Sequence, residues 1–280
     1  MKAKVYAFAD EASQSLEGQI AAMRRNGLNG LELRMVDGMN GVDLTLAHAR
    51  EIRARLADQG LSVWSLGSPI GKVNIRDDDL VAHMTRFRHA LDVARELGAE
   101  NMRMFSFYMP QGDPAQYRHQ VIDELCRMAE AAAGSGVRLC HENEKGIYGD
   151  NAARCLDVMQ HVPGLAGVFD PANFVQCGQD TLEAWRLLKP YIHYMHIKDA
   201  LADGRVVPAG DGAGHVPEIV RDFLSGGERA LTIEPHLFEF LGLASLEQSG
   251  ARSQVGQYAF ASTDDAFDAA CAALRRILEA

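Results

Sequence analysis

The sequence predicts a single (β/α)8 barrel spanning residues 1–280. Three observations carry that expectation. Short apolar runs alternate with longer helix-like runs from end to end, which implies a parallel sheet. Eight such units suit a closed barrel better than an open doubly wound sheet. The length of 280 residues is near the ordinary size of one such barrel. Length alone also allows two domains, but no linker, low-complexity tract or repeat beyond the alternation interrupts the chain. No G-x-G-x-x-G follows the first strand, so dinucleotide binding has little support.

The strands are expected, in order, over Val5–Ala9, Gly30–Arg34, Leu61–Leu66, Asn101–Phe105, Val137–Asn143, Leu165–Asp170, Ile192–Lys198 and Ala230–Glu234. Each is a short apolar run. The helices between them are expected over Leu16–Arg25, Thr45–Gln59, Asp77–Leu97, Pro114–Ala133, Asn151–Gln160, Leu182–Leu188 and Glu218–Leu224, with Asp264–Leu278 after the last strand. Gly27, Gly60, Gly98 and Gly134 each follow a periodic run and read as helix stops. Asp113-Pro114 reads as an N-cap with proline at the first helical position. The irregular stretch His236–Phe260 is long for a βα loop and falls on the face where barrels do chemistry.

Apolar residues make up 47% of the chain, enough for a large core. The net charge of −10, with no cluster of Lys and Arg, argues against nucleic acid or an anionic membrane as partner. The N-terminus lacks the apolar run of a secretory signal, and no stretch approaches a membrane span, so a cytoplasmic protein is expected. Cys126, Cys140, Cys155, Cys177 and Cys271 are odd in number and contain no C-x-x-C, which disfavours a disulfide framework or a thiolate zinc site. The sequence leaves the oligomeric state open, and a homo-oligomer is compatible with it.

Four consecutive strands end in a metal-ligand type. Glu142 closes strand five, Asp170 strand six, His196 strand seven and Glu234 strand eight. In a barrel the C-terminal strand ends converge on one mouth. Side-chain alternation sends Leu231, Ile233 and Phe169 to the helices and turns Thr232, Glu234 and Asp170 inward. Three carboxylates and an imidazole gathered there would repel strongly without a cation between them. An oxygen-rich set with one nitrogen suits one divalent ion, Mn²⁺ first and Mg²⁺ or Co²⁺ next, better than a structural zinc. Four protein ligands leave two octahedral positions for neighbouring substrate oxygens. A single Asp or Glu at a strand end is more often a helix N-cap or a surface ion pair. Four on successive strands at one end are hard to obtain by chance.

The motifs His141-Glu142-Asn143-Glu144-Lys145-Gly146, Phe169-Asp170-Pro171-Ala172-Asn173, His196-Ile197-Lys198-Asp199 and Ile233-Glu234-Pro235-His236 give the chain a family likeness. It resembles the xylose-isomerase-like barrel superfamily of sugar phosphate isomerases and epimerases, which includes ketose 3-epimerases, keto-sugar epimerases and inosose-processing enzymes. The resemblance covers essentially the whole chain and is specific for the superfamily, not for a substrate. It implies that Glu142 and Glu234 both bind the metal and move the proton, while Asp170 and His196 are plain ligands. Ketose epimerases often carry histidine three residues after the aspartate; Asn173 stands here, which departs from the ketohexose pattern. The implied chemistry is proton removal beside a sugar carbonyl, the metal stabilising the enediolate. Return of the proton on the opposite face epimerises, and return to the neighbouring carbon isomerises.

Further residues are expected around the mouth. Lys198 shares strand parity with His196 and would hold a substrate oxygen or pair with Asp199 or another acid. Arg34 and Glu32 alternate on strand two, as a substrate contact or as a structural network. Lys72 follows strand three and could meet an anionic group, or be a solvated charge. Asn173, His215 and His236 complete the substrate-binding candidates, and the Pro208–His215 loop carries three glycines that let backbone approach a ligand. His48, His83, His89 and His119 lie on helices and are expected at solvent. Trp64, Phe105, Phe107 and Tyr108 are expected either to line the pocket or to pack in the core. The expected partner is a small sugar that need not be phosphorylated, because no glycine-rich phosphate cradle at a helix N-terminus stands out. A lyase or dehydratase on the same site is the nearest alternative; an abasic-site endonuclease or a non-catalytic sugar-binding protein is remote.

Overall fold

A computed structural model describes residues 2–239 and 260–280. Eight strands, β1 (Ala3–Ala7), β2 (Gly30–Leu33), β3 (Ser62–Leu66), β4 (Asn101–Met104), β5 (Arg138–Glu142), β6 (Ala166–Phe169), β7 (Ile192–Ile197) and β8 (Arg229–Ile233), pair in sequence and close into a barrel. Every pair in the barrel is parallel, and β1 pairs with both β2 and β8. The helices are α1 (Leu16–Arg25), α2 (Leu46–Ala57), α3 (Leu80–Leu97), α4 (Arg118–Ala132), α5 (Ala152–His161), α6 (Pro171–Gln176), α7 (Thr181–Leu188), α8 (Val216–Ser225) and α9 (Thr263–Glu279). The large core lies between the sheet and this helical layer.

Side-chain caps start most of the helices. Ser15, Thr45, Asp79, Asn151, Asp180 and Ser262 each accept a hydrogen bond from a backbone N–H in the first turn. The helix-stop glycines Gly27, Gly60, Gly98 and Gly134 all take positive φ, between 64° and 76°. Asp113 and Pro114 open a 3-10 turn, Pro114–Tyr117, that leads into α4 instead of α4 itself. The short α6 was not expected; Asp170 caps it. Most of the stretch His236–Phe260 lies outside the described residues.

Inside the barrel the chain is layered. Tyr6, Cys140, Val168, Tyr194 and Ala230 form an apolar floor, with Trp64 packed against it. Trp64 stacks on Tyr6 at 5.1 Å, so it belongs to this floor and not to a pocket wall at the mouth. Above the floor the inward positions turn charged. His83, expected at solvent, is buried, because it lies four residues before Phe87 on the packed face of α3. Its Nε2 accepts a hydrogen bond from Gly71 N at 3.0 Å, and burial lowers its pKa to about 4.

Candidate metal centre

The ends of β5 to β8 bring together one ligand atom from each of Glu142, Asp170, His196 and Glu234, all within 4.8 Å of one another. All four side chains are buried. Barrel register explains the convergence: His196 pairs with Thr232, two residues before Glu234, and Phe169, just before Asp170, pairs with Met195. Asn143 locks the neighbouring ends of β5 and β6, donating to Asp170 O at 2.9 Å and accepting from Asp170 N at 3.0 Å.

His196 stands at the centre. Its Nδ1 is 3.1 Å from Glu142 Oε1, 3.5 Å from Glu234 Oε2 and 4.0 Å from Asp170 Oδ2. Its Nε2 points the other way, 3.1 Å from Glu32 Oε2. Tyr194 and Ser65 hydroxyls donate to Glu32 Oε1 at 2.8 and 3.3 Å. Burial opposes charge on His196, but Glu142 and Glu32 hold its pKa well above the ordinary imidazole value. Burial would likewise raise Glu234, yet Lys198, His236 and His196 hold it well below the carboxylate range. Burial raises Asp170 to about 7 against the pull of Lys198, with Glu234 and Glu142 adding to the rise.

Asp170 divides its oxygens between two tasks. Oδ1 caps α6 by accepting from Asn173 N at 2.9 Å. Oδ2 is buried and receives no hydrogen bond of good geometry, although Lys198 Nζ lies 2.8 Å away. A buried carboxylate oxygen aimed at three other ligand atoms is what a cation site requires. The residues therefore fit a dication: oxygen-rich, one imidazole nitrogen, and a carboxylate behind that imidazole.

The surrounding candidates are distributed unevenly. Lys198 pairs with Asp170 and Glu234, not with Asp199. Asp199 instead accepts from the backbone N–H groups of Ala200, Gly210, Gly212 and Gly214, and so ties down the glycine-rich loop. Asn173 donates to Glu142 Oε1 at 3.2 Å. Arg34 pairs with Asp10, Glu11 and Glu234. His236 Nε2 lies 3.3 Å from Glu11 Oε1 and 3.5 Å from Glu234 Oε1. Lys72 pairs with Glu144 at 3.1 Å and lies over the Phe105 ring. His215 is exposed ahead of α8 and forms no hydrogen bond to the cluster. Phe107 packs in the core.

Sequence reasoning missed three residues at this mouth. Arg103 donates to Glu142 Oε2 at 3.1 Å and to Gly67 O at 3.2 Å. Asp10 and Glu11, on the 3-10 turn after β1, hold Arg34. Arg103 shares strand parity with Asn101 and Phe105, and that alternation was a readable signal.

Comparison with known proteins agrees with the architecture. A structure of L-ribulose 3-epimerase superposes with a TM-score of 0.75 at 20% identity, covering 99% of this chain and 95% of that one. The IOLI protein, solved with a bound zinc atom, gives 0.75 at 15% identity over 100% and 98%. The probable 3-DHS dehydratase AsbF from Bacillus anthracis gives 0.73 at 17% over 98% and 99%. Among curated proteins, the uncharacterised YihM of Escherichia coli K12 is 20% identical over 216 residues, 75% of this chain. The match spans only 61% of YihM's own length. At these identities the likeness shows the fold. No helix among the described residues is long and apolar enough to cross a membrane. Residues 20–239 match the model of the xylose isomerase-like TIM barrel, and the chain belongs to that family.

Proposed function

We propose that this protein is a divalent-metal-dependent isomerase or epimerase of a small keto-sugar, with Glu142 and Glu234 as its acid/base pair. The observation that carries the reading is the placement of these two glutamates. They come from β5 and β8, flank the Asp170 and His196 strands, and each turns one oxygen to the common cluster. Glu142, Asp170, His196 and Glu234 would hold the metal, with Mn²⁺ the expected ion. A dication there supplies Lewis-acid stabilisation of charge on a substrate carbonyl oxygen. Glu142 and Glu234 take and return the proton from different sides of the reacting carbon. Lys198 and Asn173 would hold substrate oxygens, a reading supported by their hydrogen bonds to Glu234 and Glu142 respectively. Arg34, His236 and Lys72 border the same mouth, and His215 remains an outer candidate.

An uncharged polyhydroxyl substrate is favoured. Arg34, Lys72 and Lys198 each already pair with a carboxylate. Paired ions offer donors and acceptors side by side, which suits hydroxyl groups better than a phosphate dianion. A lyase or dehydratase remains the second reading, since the same proton abstraction begins an elimination and the fold is shared with AsbF.

Turnover of a keto-sugar panel with Mn²⁺ in deuterated water tests the proposal. Recovered substrate and an epimerised product should carry deuterium at the deprotonated carbon, and an isomerised product at the neighbouring carbon that receives the proton. Loss of water from the substrate would select the elimination reading. Glu142→Gln and Glu234→Gln should each lower turnover by about a thousandfold or more while retaining metal. Near-normal turnover of metal-loaded Glu234→Gln would end the two-glutamate assignment.

A further inference from the structure

The three carboxylates of the cluster each commit their second oxygen elsewhere. Glu142 turns Oε1 toward His196 Nδ1 at 3.1 Å, and its Oε2 accepts from Arg103 Nη1 at 3.1 Å. Glu234 turns Oε2 toward His196 Nδ1 at 3.5 Å, and its Oε1 accepts from Arg34 Nη1 at 3.3 Å. Asp170 Oδ1 is taken by the Asn173 amide. The two guanidiniums flank one ring, Phe8, at 4.6 and 5.0 Å from its centroid. Both are pinned from behind. Asp10 accepts from Arg34 Nε and Glu11 from its Nη2, while Gly67 O accepts from Arg103 Nη2. Arg103 also lies 4.9 Å from the Phe105 ring centroid, and its Nη1 is 4.0 Å from Glu234 Oε1.

We propose that Arg103 and Arg34 are positioning residues that restrict Glu142 and Glu234 to one-oxygen ligation and so keep coordination positions open for substrate. The inference rests on the metal site proposed above. A carboxylate can bind a cation through one oxygen or both. Two chelating glutamates together with Asp170 and His196 would supply about six ligand atoms, the full complement of an octahedral ion. No position would then remain for a sugar oxygen. An oxygen that already accepts from a guanidinium has a full positive charge beside it. Bringing a dication onto that same oxygen sets two cations a few ångströms apart in poorly screened surroundings. Lys198 Nζ, 2.9 Å from Glu234 Oε2, sets the same cost on that oxygen, but its flexible stem can swing away as the ion enters, whereas the guanidiniums are pinned by Asp10, Glu11 and Gly67 O. The outer oxygens therefore stay with the arginines, and about two positions remain open. Simple charge balance would not need this arrangement, since Lys198 already supplies a cation on the cluster side of Glu234.

Mn²⁺ alone is the probe, so the test needs no substrate. Water-proton relaxation of bound Mn²⁺ counts its exchangeable water ligands. The wild type should hold about two and Arg103→Met about one, as the released Glu142 Oε2 joins the ion. Mn²⁺ affinity should hold or tighten in Arg103→Met. A merely structural arginine would, on removal, weaken Mn²⁺ binding and leave the water count unchanged, and that result overturns the proposal. A second measurement uses the wild type. In the infrared difference spectrum on Mn²⁺ loading, the two carboxylate stretches should separate widely, as one-oxygen ligation requires. A narrow, chelate-type pair that disappears in Glu142→Gln would overturn the proposal even if Arg103→Met failed to fold. If the wild type bound no Mn²⁺, the metal site would fall and this inference with it. If it bound Mn²⁺ with an unchanged count in the variant, only the denticity argument would fall.

Discussion

Replacing Glu32 with glutamine isolates the part of the site that never touches the ion. Glu32 is fully buried, and its Oε2 lies 3.1 Å from His196 Nε2. Burial would raise its pKa, but His196 and Arg103 and the Tyr194 hydroxyl hold it below the ordinary value, so it is an anion. Glutamine keeps the volume and still offers a carbonyl to His196 Nε2–H. The Tyr194 and Ser65 hydroxyls, which donate to Oε1, can rotate to accept from the new amide. What disappears is the negative charge that fixes the Nε2–H tautomer and makes the opposite nitrogen a strong donor. Carboxylates behind a ligating histidine are worth about 10–100-fold in metal affinity, or about 1.4–2.7 kcal/mol. The upper end applies here, because Glu32 is fully buried away from solvent and, among the described residues, no second carboxylate bonds His196 Nε2. Competition titration of metal-free protein with Mn²⁺ against a chelator measures the loss. Glu32→Leu, which also strips acceptors from Tyr194 and Ser65, should cost more and lower thermal stability. Affinity within twofold of wild type in Glu32→Gln, while His196→Ala loses the metal, would refute the role given to Glu32.

Further outcomes follow from the same contacts. Metal affinity should rise with pH and fall below about pH 7, since His196 must lose its Nδ1 proton and Asp170, raised to about 7, must ionise; calorimetry in buffers of different ionisation enthalpy would show proton release, and a flat profile between about pH 6 and 8 would contradict it. Asp199→Ala should destabilise the fold by about 3 kcal/mol by orphaning the loop amides it binds, and Gly214→Ala should cost about 1–3 kcal/mol, because its Cβ would lie 2.5 Å from Asp199 Oδ1; denaturant midpoints test both. Burial depresses the folded pKa of His83 to about 4 from the ordinary imidazole value of 6.5. Its neutral form contributes fully above 6.5, and that contribution is lost as pH falls from 6.5 toward 4. His83→Asn should flatten this part of the stability–pH curve.

The barrel and the gathering of four ligand-type side chains were legible for one reason: a strand has period two, and a parallel barrel gathers every C-terminal strand end at one mouth. Glu142, Asp170, His196 and Glu234 could be placed from parity alone. Arg103, which braces the cluster, is harder to read, because in Asn101-Met102-Arg103-Met104 both neighbours of the arginine are apolar methionines and no acidic or imidazole side chain marks the strand. Its place emerges only when Phe105 is counted on the same face. Asp10 and Glu11 were illegible for another reason. A 3-10 turn carries them back over the mouth, and no periodicity announces a single turn. His83 was misplaced because residue type was weighed over helical spacing; four residues from Phe87, it had to share the packed face. The glycine loop has a structural use that its sequence does not announce: Gly212 and Gly214 leave room for the Asp199 carboxylate.

The charge pattern explains why such a site is stable before it does any chemistry. Among the described residues, Asp10, Glu11, Glu32, Glu142, Asp170 and Glu234 are buried at the mouth, against Arg34, Arg103 and Lys198. Six carboxylates facing three permanent cations would be untenable if all were ionised. The metal-free protein meets the excess with protons. Burial raises Glu11 to about 8 despite Arg34, Asp170 is raised to about 7, and His196 is held as a cation by Glu142 and Glu32. These protons differ in kind. Glu11 binds Arg34 and the His236 amide, outside the four-ligand cluster, so its proton can remain when metal enters. Those on His196 and Asp170 lie in the four-residue cluster and would have to leave if it took a cation. The arginines sit on oxygens that face away from the cluster and can stay in place. A dication entering there would exchange mobile protons for a fixed charge, while the guanidiniums on Glu142 Oε2 and Glu234 Oε1 could stay in place.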